Sequence, residues 1–178
     1  MVNAAIVGLG WWGQVLVNSV QGKSDKIKFT KGTTRTLSKA EVFAGEKGIE
    51  LFASYEDLLA DQDVDAVVLA TPHSMHRPQT EAAAAAGKHV FCEKPFTLYK
   101  EDAEAASAAA EAAGVVLAIG MNRRVNPAFL ELQQRVADNW FGTVLHVEGH
   151  MSAPGIWKYT PGSWRVDRDE CPAGGMTA

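Results

Sequence analysis

The chain has 178 residues, 47% hydrophobic and 21% charged, with a formal net charge of −4, which suits a globular protein of one domain and part of another. No Lys/Arg-rich cluster invites nucleic acid, no apolar run reaches the roughly 18 residues of a membrane span, and no basic leader precedes the first strand. Cys92 and Cys171 show no metal-ligand or redox spacing, so reduced thiols in a cytoplasmic protein are expected.

The first strand is expected at Asn3–Val7. It runs into Gly8-Leu9-Gly10-Trp11-Trp12-Gly13, and a helix follows from about Trp12 to Val20. This G-x-G-x-x-G turn opens a dinucleotide-binding βαβ unit. The first glycine permits a tight turn, the second lets the backbone approach a pyrophosphate, and the third lets the helix pack on the strand. The helix N-terminus then offers N–H groups and partial positive charge to the phosphates.

A second strand is read at Ile27–Thr33. A helix over Ser38–Lys47 carries Ala40, Phe43 and Ala44 on one face and ends at Gly48. Ser54, with Asp57 three residues on, caps a short helix through Leu58 and Leu59. Ala66–Ala70 is a continuous apolar run, the pattern of a parallel strand buried on both faces. An alanine-rich helix from Ser74 to Ala86 ends at Gly87, and a strand follows at His89–Cys92. A second such helix from Lys100 to Ala113 ends at Gly114, before a strand at Val115–Ile119. The alternation predicts an α/β fold with a doubly wound parallel sheet, the Rossmann architecture, over residues 1–120.

Beyond Gly120 the pattern changes. Pro127 opens a helix through Ala137. Gly142–Ala153 alternates like a half-buried strand, with Leu145, Val147 and Met151 on one face and His146, Glu148 and His150 on the other. Residues 154–178 read as loop. Residues 121–178 are expected to open a second α/β domain.

An NAD-binding unit usually places an acid after its second strand, to accept hydrogen bonds from the adenosine ribose. Here Thr33-Thr34-Arg35-Thr36 holds none, whereas an arginine fork suits a 2′-phosphate. Lys31 and Lys39 would add positive potential. NADP is therefore expected over NAD, held by Gly8, Gly10, Trp11, Trp12, Gly13, Thr34 and Arg35. His146, Glu148 and His150 have a spacing that could bind metal, but a polar sheet face is the simpler reading and no metal is expected. His73 is expected to face solvent, and Cys92 to be a small buried hydrophobe.

Glu93-Lys94-Pro95 follows the fifth strand. With the glycine turn and Thr71-Pro72-x-x-x-His76, it resembles the Gfo/Idh/MocA oxidoreductases. Gly120-Met121-Asn122, Arg124, Pro127, Trp164-Arg165 and Gly174-Gly175 extend the likeness along the chain. The resemblance implies an NAD(P)-dependent enzyme acting on a secondary alcohol or carbonyl of a sugar, cyclitol or similar small molecule. It implies that Lys94 contacts substrate and assists proton transfer, that Glu93 lies near the cofactor ribose, and that His76 shapes the loop over the cofactor. It adds Thr71, Pro72, Asn122, Trp164 and Arg165 to the cofactor site, and it often brings a cis peptide before Pro95. It also implies a C-terminal domain with an open, largely antiparallel sheet, through which a homo-oligomer is expected. The residues agree on their own terms. Glu93 and Lys94 end a sheet strand, where open α/β sheets bind ligands, and an ammonium beside a positive nicotinamide ring is disfavoured, as proton exchange requires.

The resemblance also implies a histidine soon after the glycine segment, completing the acid–base machinery. The sequence stops at Ala178 without it. The expectation is therefore a fragment that binds cofactor and turns over little. Two readings stay open: a hydride-transfer oxidoreductase, or a non-catalytic dinucleotide-binding module or inactive fragment. A methyltransferase using S-adenosylmethionine would share the glycine turn but leaves Glu93-Lys94-Pro95 and Trp164-Arg165 unexplained.

Overall fold

The computed structural model describes residues 1–150, 152 and 160–172. In chain order the elements are β1 (Val2–Val7), α1 (Trp11–Val20), β2 (Ile27–Thr33), α2 (Glu41–Lys47), β3 (Glu50–Leu51), α3 (Tyr55–Ala60) and β4 (Ala66–Leu69). They continue with α4 (His76–Ala85), β5 (His89–Cys92), α5 (Lys100–Ala112), β6 (Leu117–Ile119) and α6 (Pro127–Ala137). The strands form one sheet in the order β3-β2-β1-β4-β5-β6, and every pairing is parallel.

Strand alternation divides the core into two layers. Ala5 and Val7 pack with Val67, Leu69 and Val90 against Leu58 and Leu59 of α3 and Ala83 of α4. Ala4 and Ile6 point the other way, with Phe29 and Val68, against Val17 of α1 and Ala44 of α2. A sheet covered on both faces explains why β4 is apolar at successive positions. The alanines keep α4 and α5 thin: Ala83, Ala84, Ala106 and Ala110 are buried. Arg77 bonds Glu81 within α4 and ties α4 to α5 through Asp102. Lys100, Glu101, Glu104 and Glu111 stay exposed on α5.

The winding starts at β1 and runs outward through β2 and β3, then returns to β4 on the other side of β1. Such a reversal leaves a crevice beyond the carboxyl ends of β1 and β4, the usual ligand position in these sheets.

Several local expectations are met residue by residue. Gly48 is left-handed at φ 66°, and Ser54 Oγ accepts from the Asp57 N–H at 3.0 Å. Pro127 stands in the first turn of α6 as expected, and the Asn126 side chain, unforeseen, caps it through the Ala128 N–H at 3.0 Å. Others are corrected. β3 was not foreseen; two residues form a strand only because β2 offers a free edge. β6 begins at Leu117 rather than Val115, whose N–H is taken by the Ala110 carbonyl at 3.1 Å. The Ser74–Ala86 helix begins at His76, after a 3-10 turn at His73–Met75.

The largest correction concerns the half-buried strand at Gly142–Ala153. Residues 142–150 form no strand, and among the described residues nothing pairs with them. Leu145 is 91% and Val147 81% exposed, so the alternating pattern has no layer to pack on. Met151 and Ala153 lie outside the described residues. The apolar side of α6 (Phe129, Leu130, Leu132, Val136) is likewise about half exposed. Among the described residues no helix is long and apolar enough to cross a membrane.

Candidate functional site

The glycine turn sits at the carboxyl end of β1, and its three glycines have different causes. Gly8 has φ 96°, and a Cβ there would lie 2.6 Å from the Ala70 carbonyl oxygen. A Cβ on Gly13 would fall 1.9 Å from the Gly8 carbonyl oxygen, so the third glycine lets α1 close onto the turn. Gly10 differs: its φ is −68° and a Cβ would meet nothing within 4 Å. Neither backbone conformation nor packing requires glycine there, and the open space is what a close-approaching phosphate would use. Gly10 is the N-cap of α1, and Trp11 and Trp12 form its first turn, so the helix aims its N-terminus into the crevice. The Gly8 N–H donates to the Thr33 carbonyl at 2.8 Å, tying the turn to the end of β2.

Beyond β4 and β5 the rim is fastened by His76, which is fully buried. Its Nε2 lies 3.0 Å from the Thr71 carbonyl oxygen, and its Nδ1 lies 3.0 Å and 3.1 Å from the carbonyl oxygens of Pro95 and Phe96. One ring thus joins the Thr71-Pro72 loop to the segment after Lys94. Thr71 Oγ1 also donates to Gln79 Oε1 at 2.6 Å, while the Gln79 carbonyl accepts from the Tyr55 hydroxyl at 2.8 Å. The Lys94–Pro95 peptide is cis.

Glu93 is buried, its N–H donating to the Leu69 carbonyl at 3.0 Å. Its Oε2 accepts the Lys94 N–H at 3.2 Å. Oε1 accepts no hydrogen bond among the described residues. Oε1 is not sealed off in the core, so it stays open to a ligand's donor, and ribose hydroxyls are donors of the right kind. The pair thus fits a dinucleotide: open space at Gly10, an acceptor without a donor at Glu93. Lys94 itself is exposed, and its ammonium pairs with no acid among the described residues. Cys92 ends β5 fully buried, and burial pushes its thiol up to about 12.

At the end of β2, Thr33 is buried and its Oγ1 donates to the Phe52 carbonyl at 3.0 Å. Thr34 is half-buried and Arg35 exposed. Lys31 corrects an expectation: it bonds Glu50 at 2.6 Å and Asp61 at 3.2 Å, so its charge is matched locally rather than directed to the phosphates. Those acids came from distant segments that no spacing rule links to Lys31.

Residues 160–172 return to the same rim. Arg35 lines a cleft of about 490 Å³ with Gly162, Ser163, Trp164, Val166 and Asp167. The Arg165 guanidinium stacks over the Trp164 ring at 4.2 Å, and Trp164 meets His73 edge-on at 4.9 Å. His73 is therefore buried, not solvent-facing as expected: this returning segment covers it, and its Nδ1 lies 2.8 Å from the Glu170 carbonyl oxygen. Burial lowers the imidazole below its ordinary value. Glu170 and Asp167 were missed by the sequence reading, since neither lies in a motif. Asn122 is exposed in the 3-10 turn after β6, its N–H bonded to the Gly120 carbonyl at 2.9 Å. Glu148 Oε1 and His150 Nε2 pair at 2.9 Å on the surface, and no metal-binding cluster occurs among the described residues. Trp157, Tyr159 and Gly174-Gly175 lie outside the described residues.

A family model described as an oxidoreductase family with an NAD-binding Rossmann fold, the Gfo/Idh/MocA group, matches residues 2–121. The chain belongs to this family. Among Gfo/Idh/MocA relatives, scyllo-inositol 2-dehydrogenase (NAD(+)) of Bacillus subtilis is 35% identical over 83% of this chain and 44% of its own length. The 1,5-anhydro-D-fructose reductase of Ensifer adhaerens is 30% identical over 98% of this chain and 50% of its own. A crystal structure from Desulfitobacterium hafniense, provisionally described as an NADPH-dependent oxidoreductase, superposes with a TM-score of 0.90 at 28% identity. That superposition covers 99% of this chain and 51% of the other. The chain thus spans about half the length of the curated relatives it matches.

Proposed function

We propose that this protein takes part in hydride transfer between a nicotinamide dinucleotide and a secondary alcohol or carbonyl of a sugar, cyclitol or similar small molecule. Residues 1–120 are the dinucleotide-binding unit in this reading. Residues 121–178 open the substrate domain, whose sheet would pair subunits into a homo-oligomer. The named activities of the inositol and anhydrofructose relatives support the substrate class. Buried, unpaired Cys92 and Cys171 suit the cytoplasm.

The observation that carries the reading is the contrast between neighbours at the end of β5: Glu93 buried with an acceptor oxygen left over, Lys94 exposed without an acid partner. Bound nicotinamide would supply the carbon that gives or takes the hydride. The protein's own residues do the rest. The Gly8–Gly13 turn and the α1 N-terminus, with Trp11 and Trp12, hold the diphosphate. Thr34 and Arg35 receive the adenosine end. Thr71, Pro72, His76, Asn122, Trp164 and Arg165 shape the crevice around the dinucleotide. Glu93 accepts ribose hydroxyls and sets the depth at which the ring lies. Lys94 Nζ gives a proton to the substrate oxygen as a carbonyl is reduced and takes it back as an alcohol is oxidised. The ammonium form gives the proton in reduction and the neutral amine takes it in oxidation, and no ion pair among the described residues ties the group elsewhere.

An arginine stands after β2 where NAD-binding units place an acid, which favours NADP over NAD; Asp167, lining the same cleft, works against that preference. The test is titration calorimetry with both dinucleotides, followed by a dehydrogenase screen over sugars, cyclitols and aromatic dihydrodiols. Binding of neither dinucleotide would refute the reading.

A further inference from the structure

Residues 160–172 touch the crevice rim at two separated places. At one, Ser163, Trp164 and Asp167 face the cleft that Arg35 shares, just after β2. At the other, Glu170 is held by the loop after β4. Its Oε2 accepts the Ser74 N–H at 3.1 Å, its Oε1 accepts the Ser74 hydroxyl, and its carbonyl oxygen lies 2.8 Å from His73 Nδ1. In the sheet, β2 and β4 are the two neighbours of β1. A segment fastened beyond both therefore spans the rim on either side of the glycine turn.

The fastening is chemically specific. The lead-in turn pairs the Met75 and His76 N–H groups locally, with the Pro72 and His73 carbonyls, and leaves the Ser74 N–H without a partner inside the turn. Glu170, 96 residues away, supplies that partner as a carboxylate, the charge a helix N-terminus favours. Trp164 completes the hold through its edge-on contact with buried His73, with Arg165 stacked over its ring.

We infer that Glu170 is a positioning residue for the dinucleotide. Its carboxylate fastens the 160–172 segment to the loop after β4, and so holds Ser163, Trp164 and Asp167 opposite Arg35 as the second wall of the adenosine-end subsite. This rests on the reading of Arg35 given above. Glu170 touches neither the reacting atoms nor Arg35; it acts through the segment it anchors.

The experiment is calorimetric titration of NADP into the unaltered chain, Glu170→Ala, Arg35→Ala and the double variant, with Ser74→Ala as a second way to loosen the same hold. Glu170→Ala is expected to weaken NADP about tenfold, the worth of one charge-assisted hydrogen bond, and Ser74→Ala several-fold. If Glu170 works by completing the Arg35 cleft, the double variant binds about as weakly as Arg35→Ala alone, because the losses share a cause. Losses that multiply in the double variant, or unchanged affinity in both Glu170→Ala and Ser74→Ala, overturn the inference and leave the cofactor reading standing. No binding of either dinucleotide by the unaltered chain overturns both.

Discussion

Glu93 and Gly120 meet where β5 and β6 end: a Cβ on Gly120 would lie 2.9 Å from Glu93 Oε1 and 3.0 Å from its carboxyl carbon. Glycine at this position is what leaves room for the buried carboxylate. The obstructing atoms belong to a side chain that can swing, so Gly120→Ala should cost stability little while displacing the acceptor proposed for a ribose. The expected outcome is a thermal midpoint within a few degrees of the unaltered chain and a dinucleotide affinity about tenfold weaker. Unchanged affinity with an ordered alanine would take Glu93 out of the site.

Gly13 and Gly10 should respond to alanine in opposite ways. The Gly13 Cβ would strike main-chain oxygen at 1.9 Å, which no rotamer relieves. Gly13→Ala should therefore destabilise the fold by about 3 kcal/mol or more, seen as a large drop in the denaturation midpoint. Gly10→Ala should leave that midpoint in place and abolish dinucleotide binding in calorimetry.

Lys94→Ala in an active enzyme carrying this segment should lower turnover about 10²-fold or more, the usual worth of a proton-transfer group. Cofactor affinity should change far less. Steady-state kinetics beside a binding titration separates the two effects, and an unchanged turnover number would remove Lys94 from the mechanism.

Arg35→Ala should weaken NADP selectively. A guanidinium facing a 2′-phosphate is worth about 1.5–3 kcal/mol when the bond is charge-assisted, whereas NAD presents only hydroxyls there. Paired calorimetry of the two dinucleotides checks this, and equal affinity of the unaltered chain for both would count against the NADP preference.

His73 gives stability a pH dependence. Burial lowers its imidazole pKa, with His76 and Arg165 acting in the same direction and Glu170 opposing. The folded chain therefore resists a proton that the unfolded chain accepts at its ordinary value, 6.5. The stability from a neutral His73 is fully present above that value and is lost as pH falls from it toward the lower folded value. Thermal midpoints measured downward from about pH 7 should fall more steeply for the unaltered chain than for His73→Asn. Parallel slopes would show that His73 is not held neutral.

Much of this protein was legible in local order. The Ser54 cap, the Pro127 start of α6 and the left-handed Gly48 follow from interactions within a few residues, so the sequence around each carries the whole instruction. The motif at Gly8–Gly13 was equally readable, because the conformation and the Cβ contacts that demand Gly8 and Gly13 arise from the adjoining strand and helix, with Ala70, just beyond β4, alongside. The rest depended on partners far along the chain. Lys31 is matched by Glu50 and Asp61, β3 exists through the edge of β2, and His73 is buried by Trp164 and Glu170. Residues 142–150 carry a strand's alternation yet form none, since a strand is completed by the neighbour that shares its hydrogen bonds. Sequence by itself determined the local caps, most of the helices and strands, and the glycine turn. Tertiary structure decided which charges are matched, which polar groups are buried and what stands opposite Arg35, because each of those is a property of a pair of distant residues and neither member encodes it alone.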